Sequence, residues 1–150
     1  MQQQRYEWLQ RIKAVEREHT VAELSIARLL QQSQNNPSGL PAALRVRDVR
    51  TTSDNLEGTY LIRLFAEFET GLRESWSALR GSDPPSRTRD LLDGIAAYRK
   101  IPNDELASAH QVRDYRNRLV HERDESTEPV TILMARRSLC RYLSFLPLGW

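Results

Sequence analysis

The chain has a single cysteine, Cys140, in 150 residues, so no internal disulfide can form. Cys140 stands in an apolar helical pattern with no second cysteine at metal-ligand spacing, which reads as a buried structural thiol. Lysine is almost missing: of 22 lysines and arginines only Lys13 and Lys100 are lysine. Arginine's planar fork suits bidentate contact with phosphate, and the same bias equally suits a GC-rich genome. Net charge is only +2, which excludes a strongly basic nucleic-acid coat protein. No apolar run approaches the length of a membrane span. The first residues, Met-Gln-Gln-Gln-Arg-Tyr-Glu, are polar with no signal core behind them, so the expectation is a cytoplasmic protein without membrane contact. Alternating strand patterns, internal repeats and low-complexity tracts are also missing. There is no glycine-rich phosphate loop, no His-Glu-X-X-His and no paired cysteines, so neither a cofactor nor a metal is expected.

What is present is helical. Apolar residues make up 39% of the chain and charged residues 28%, ordinary for one globular domain over residues 1–150. Trp8, Ile12, Val15, His19, Ala22, Ile26 and Leu29 alternate spacings of four and three and predict a helix over 5–34. His19 on that seam reads as a packed, hydrogen-bonded residue. Asn35, Asn36, Pro37, Gly39 and Pro41 break the helix, and a connection carrying Arg45, Arg47 and Arg50 is expected to run to about Ser53. These arginines suit a solvated loop or a polyanion contact. Leu56, Tyr60, Leu64, Phe68, Leu72 and Trp76 then predict a second helix over 54–80, capped by Asp54 and Glu57. Gly81, Pro84 and Pro85 end it.

Leu91, Leu92, Ile95 and Ala96 mark a short helix over 87–99, expected as an insertion across the end of the bundle. Pro102, Asn103, Asp104 and Glu105 open a helix over 103–122, with acidic groups where the helix dipole favours them. The last helix, over 129–146, presents Ile132, Ala135, Leu139, Tyr142 and Leu146, with Pro129 near its first turn. The expected fold class is all-α: a four-helix bundle with one additional short helix.

Chemistry concentrates in Ala109-His110-Gln111-Val112-Arg113-Asp114-Tyr115-Arg116-Asn117-Arg118-Leu119-Val120-His121. At about 100° per residue, Val112, Tyr115 and Leu119 share the buried face. Asn117 and His121 lie one turn apart on another face, joined by His110, with Arg113 alongside. Arg116 flanks this sector from the side nearer the core, and Arg118 lies on the far side. An imidazole, an amide and two guanidinium groups are the parts needed to hold a phosphodiester and move a proton. The plainer reading pairs Arg113 and Arg118 with Asp114 or Glu122 and makes His121 a helix-end residue favoured by the dipole. Glu67 and Glu69 border the second helix's apolar stripe and read as surface charge before site-supporting carboxylates.

Arg116-Asn117-Arg118-Leu119-Val120-His121 resembles the signature of the HEPN superfamily (higher eukaryotes and prokaryotes nucleotide-binding): Arg, four to six residues, then His, with a polar residue directly after the Arg. The position agrees, on the penultimate main helix of a four-helix bundle. Leu64-Phe65-Ala66-Glu67-Phe68-Glu69 also resembles the family's second helix. The resemblance covers about residues 54–146.

It implies a metal-independent endoribonuclease, acting as a homodimer in which two such motifs meet across the dimer axis. Arg116, Asn117 and His121 would be catalytic, and Arg113 and His110 would bind RNA. Imidazole exchanges a proton near neutral pH and suits general acid–base work at a ribose 2′-OH or a leaving 5′ oxygen. Arg116 would neutralise charge growing on the phosphate, and Asn117 would orient the imidazole or the phosphate. The products would be a 2′,3′-cyclic phosphate and a 5′-hydroxyl, and DNA would not be cut. The expected role is a toxin or defence effector restrained by an antitoxin or inhibitor protein. The alternative is a non-catalytic HEPN-like module that binds RNA, a nucleotide or a protein. Tyr115, just before the motif, is a conceivable site of covalent modification and packs inward on the plainer reading.

Overall fold

In the computed structural model, which describes residues 4–121 and 127–150, the chain forms five helices and one short 3₁₀ turn. They are α1 (Gln4–Asn35), the turn Pro37–Gly39, α2 (Val46–Arg80), α3 (Thr88–Arg99), α4 (Asn103–His121) and α5 (Ile132–Ser144). No strand occurs among the described residues, so the fold is all-α. Glu122, the expected last residue of α4, lies outside them.

Packing begins with α1 against α2. Gly71 makes this possible: a Cβ there would stand 2.8 Å from Cδ2 of the Trp8 ring, which is buried. Around this contact Ile12 and Val15 of α1 meet Leu64, Phe68 and Leu72 in a common core, to which α5 adds Ala135, Leu139, Tyr142 and Leu143. The buried Tyr142 hydroxyl donates 2.7 Å to the Leu92 carbonyl, and burial raises its pKa well above the ordinary tyrosine value. Residues Leu91, Leu92, Ile95 and Ala96 of α3 are buried in the same core. The short helix is therefore part of the core, packed on α2 and α4.

Helix ends differ from the sequence expectation at the start of α2 and at both ends of α5. Residues 46–53, expected in a connection, form the first two turns of α2. The Arg45 N–H donates 2.8 Å to the Asp48 carboxylate, and the Asp48 N–H donates 2.9 Å to the Arg45 carbonyl. Asp48 thus closes this end, while Asp54 and Glu57 sit inside the helix. Glu57 instead serves α5, accepting from the Ile132 N–H at 3.2 Å. There Thr131 is the N-cap, its hydroxyl accepting from the Met134 N–H at 3.2 Å, so Pro129 precedes the helix. At the other end Leu146 lies beyond α5, yet still in the core. Arg5 donates to the carbonyls of Ser144 (2.9 Å) and Leu146 (2.7 Å), and Arg99 donates to Phe145 (3.0 Å). These guanidinium groups satisfy carbonyls that a helix end leaves open.

The helices differ in length. α1 and α2 have 32 and 35 residues, about 48 and 52 Å, whereas α5 has 13, about 20 Å. The start of α5 meets α1 at Glu16, through Arg136 at 2.6 Å, and α2 at Glu57. The more distant turns of α1 lack that cover, which is why Leu29 of the expected seam is exposed and Ala22 and Ile26 are only half-buried.

Two glycines test this packing. Gly71→Ala forces its Cβ into a buried ring, and overpacking of this kind costs about 1–3 kcal/mol against about 1 kcal/mol gained in helix propensity. A net loss of up to about 2 kcal/mol is expected in urea unfolding. At Gly58 a Cβ would meet Leu119 at an ordinary 3.5 Å, so Gly58→Ala should be neutral or stabilising by up to about 1 kcal/mol.

Candidate active site on α4

One long stripe of α4 faces the core, carrying Glu105, Ala109 and Val112. Glu105, buried, holds Arg141 of α5 at 2.6 Å. By helical geometry the next position on this stripe is Arg116. Its guanidinium lies over the Phe65 ring of α2 at 5.5 Å, and its Nη1 donates 3.0 Å to the Asn117 side-chain oxygen. Arg116 Nε is buried and has no hydrogen-bond partner among the described residues. Tyr115 and Leu119 flank the stripe, half-buried against the core.

Toward α3 stand His110, Arg113 and Asn117. His110 Nε2 lies 2.6 Å from Asp93 of α3, and its Nδ1 lies 2.7 Å from Arg113 Nη1. A guanidinium can only donate, so Nδ1 accepts and the ring proton sits on Nε2, where Asp93 receives it. Arg113 also donates from Nε to Asp114 at 3.0 Å and pairs with the same oxygen through Nη2. Asp93, His110, Arg113 and Asp114 therefore form one continuous chain across the α3–α4 contact. Both residues expected to bind RNA, His110 and Arg113, already have protein partners.

His121 is the last residue of α4, exposed and without a hydrogen bond to any described residue. Arg116 and His121 are not brought together within one chain. Five residues turn a helix by about 140° beyond a full turn, which sends one side chain toward Phe65 and the other to solvent. Asn117 stands between them, bonded to Arg116 and on the same side of α4 as His121.

The hollow beside these groups lies between the start of α3 and α4. One part, about 600 Å³, borders His110, Gln111, Arg113 and Arg89. The adjoining part, about 430 Å³, borders Arg87, Thr88, Arg113, Asn117 and Arg118. Arg118 thus shares the hollow of Asn117, where the far side of the helix was expected, and donates 2.8 Å to the Thr127 carbonyl.

Sequence reasoning missed the α3 wall of this hollow. Glu69 Oε1 accepts from Thr88 Oγ1 (2.8 Å) and from Arg73 Nε and Nη2 (3.1 and 2.8 Å). Arg73 also donates to the carbonyls of Pro85 and Ser86. Glu69 is therefore a positioning carboxylate for the start of α3, where surface charge was the first expectation. No sequence spacing links residue 69 to residue 88; only the alternation Arg87-Thr88-Arg89 after two prolines hinted at the wall.

Among the described residues no three His, Cys, Asp or Glu side chains cluster as a metal-ligand set. No described helix is long and apolar enough to cross a membrane. In comparisons with known proteins, the chain matches no family model, no curated protein and no solved structure.

Cys140 lies away from this site, half-buried on α5, and burial pushes its thiol pKa up. Its thiolate is scarce at neutral pH and grows as pH rises. Alkylation by iodoacetamide at pH 7.5 should be slow in the folded protein and fast in urea; equal rates would contradict this environment.

Proposed function

We propose that this chain is a HEPN-type, metal-independent endoribonuclease, working as a cytoplasmic toxin or defence effector under an antitoxin or inhibitor protein. The observation that carries the reading is the state of the Arg116-Asn117-Arg118-Leu119-Val120-His121 helix end: a guanidinium held on Phe65 with a buried Nε, and an exposed imidazole one turn past Asn117, both without a hydrogen-bond partner among the described residues. A purely structural arginine is expected to satisfy its buried donors, and a helix-end histidine needs no such neighbour.

The chemistry follows from the groups present. The ribose 2′ oxygen loses its proton and bonds to phosphorus, while the bond to the 5′ oxygen breaks and that oxygen takes up a proton. Base and acid stand on opposite sides of the phosphorus. His121 fills one of these roles, and a second copy's imidazole fills the other. Arg116 and Asn117 stabilise the charge on the phosphoryl oxygens. The need for two imidazoles, with one His121 per chain, supports a two-fold homodimer with α4 near its axis.

Cleavage of single-stranded RNA in excess EDTA, with end-group analysis, is the test. Wild type should yield 2′,3′-cyclic phosphate and 5′-hydroxyl ends, and His121→Ala or Arg116→Ala should lower the rate roughly 10²–10⁴-fold. Arg116→Lys should rescue little, since an ammonium lacks the planar fork. Activity lost in EDTA, or unchanged in folded His121→Ala, would overturn the mechanism.

A second reading has its own support: in one chain Arg116 and His121 point apart, and His110 and Arg113 are internally paired. A non-catalytic HEPN-like binding module needs no closer approach. Cleavage separates the two readings, and sedimentation tests the composite site. The ribonuclease should be a dimer at micromolar concentration, and an active monomer would rule out a composite site.

A further inference from the structure

The ribonuclease reading leaves unassigned the hollow between α3 and α4, and with it Arg87 and Arg89. We infer that this hollow is the track for the phosphodiester backbone of a single-stranded RNA, leading away from His121, with Arg87 and Arg89 as phosphate contacts. The inference rests on the proposed function for the position of the reacting phosphate, and on the groove itself for everything else.

Four arginines border the hollow, Arg87 and Arg89 on the α3 side and Arg113 and Arg118 on α4, together with the carboxylates of Asp114 and Glu128. They differ in what they have left to offer. Arg113 has a largely covered side chain, 12% exposed, and is neutralised by Asp114. Arg118 is exposed and spends one Nη1 hydrogen on the Thr127 carbonyl. Arg87 is exposed, with no ionic partner among the described residues. Arg89 is 74% exposed and only grazes Asp93, at 4.0 Å. The open guanidinium groups therefore stand mainly on the α3 wall, while the α4 wall supplies Asn117 and a fixed Arg113. Two walls with free forks facing fixed polar groups suit a polyanion lying between them.

This wall is also held in place. Glu69 binds Thr88, directly between Arg87 and Arg89, and Arg73 ties down the two carbonyls before Arg87. Asp93 fixes His110 and through it Arg113. The guanidinium groups thus extend from backbone that is already ordered, which lowers the entropy lost on binding. Successive turns of α4 present Arg113, Asn117 and His121 about 6 Å apart, a spacing on the scale of one nucleotide step. A strand whose reacting phosphate lies at His121 can run back past Asn117 into the groove. The free guanidinium groups meet backbone charge, which every nucleotide carries, so recognition does not depend on base identity.

The test measures binding apart from cleavage. In a His121→Ala background, fluorescence anisotropy follows a labelled 12-nucleotide RNA, and DNA of the same sequence, over a salt series. Arg87→Glu/Arg89→Glu should weaken both about tenfold or more and lower the salt slope by about 0.7 for each lost phosphate contact. Arg47→Glu/Arg50→Glu makes the same charge change on exposed residues at the distant start of α2 and should have little effect. Both side-chain pairs are exposed, and circular dichroism confirms folding. Equal losses in the two variants would mean diffuse attraction and overturn the track. Wild-type affinity in Arg87→Glu/Arg89→Glu, or no oligonucleotide binding by the parent, would do the same. If the groove-specific loss is found but wild type cleaves no RNA, the track stands and the ribonuclease reading falls.

Discussion

The seat of Trp8 on Gly71 sets the distance between the two long helices, and the rest of the molecule is built on that pair. A glycine here lets an indole ring lie where a methyl group would collide at 2.8 Å. Arg11 covers the ring from the solvent side at 4.5 Å, so the contact is closed on both faces. With α1 and α2 held this close, Phe65, Phe68 and Leu72 face the surface that α3, α4 and α5 complete. A second small residue repeats the device: Gly94 of α3 leaves room for the Trp76 ring of α2.

The same frame places a charge where packing alone would favour an aliphatic side chain. Arg116 occupies the core-facing stripe of α4 and rests on Phe65. A leucine there would bury apolar surface without leaving a donor unpaired, and an unsatisfied buried donor costs about 1–3 kcal/mol. Local consistency thus fails at Arg116, which is where function is sought. His121 presents the opposite case. It is exposed, with no hydrogen bond to a described residue, and gains meaning only from the groups beside it.

Between these two lies a surface ordered by charge pairing. Asp93, His110, Arg113 and Asp114 join α3 to α4, and Glu69 with Arg73 and Thr88 joins α2 to the start of α3. These pairs are half-covered at the rim of the helices, with Arg113 12% and Glu69 18% exposed. Their consequence is orientation: they join the two walls of the groove, while Arg87 has no ionic partner among the described residues and Arg89 only a 4.0 Å approach to Asp93.

Much of this was written in the sequence. Amphipathic spacing was enough for five helices and most of the core, because a period of 3.6 with proline breaks leaves few other structures. It also placed Arg116 nearer the core than His121, Asn117 and His110, since a helix turns by a fixed angle per residue. It could not locate the start of α2: Asp48 and Asp54 are both plausible caps, and only packing and the hydrogen bond from Arg45 chose between them. Nor could it show that Glu57 caps a helix 75 residues away, that Glu69 holds Thr88, or that His110 is taken by Asp93. These contacts join different helices. A helical period determines which face each residue occupies, but which faces meet is decided only when the whole core packs at once.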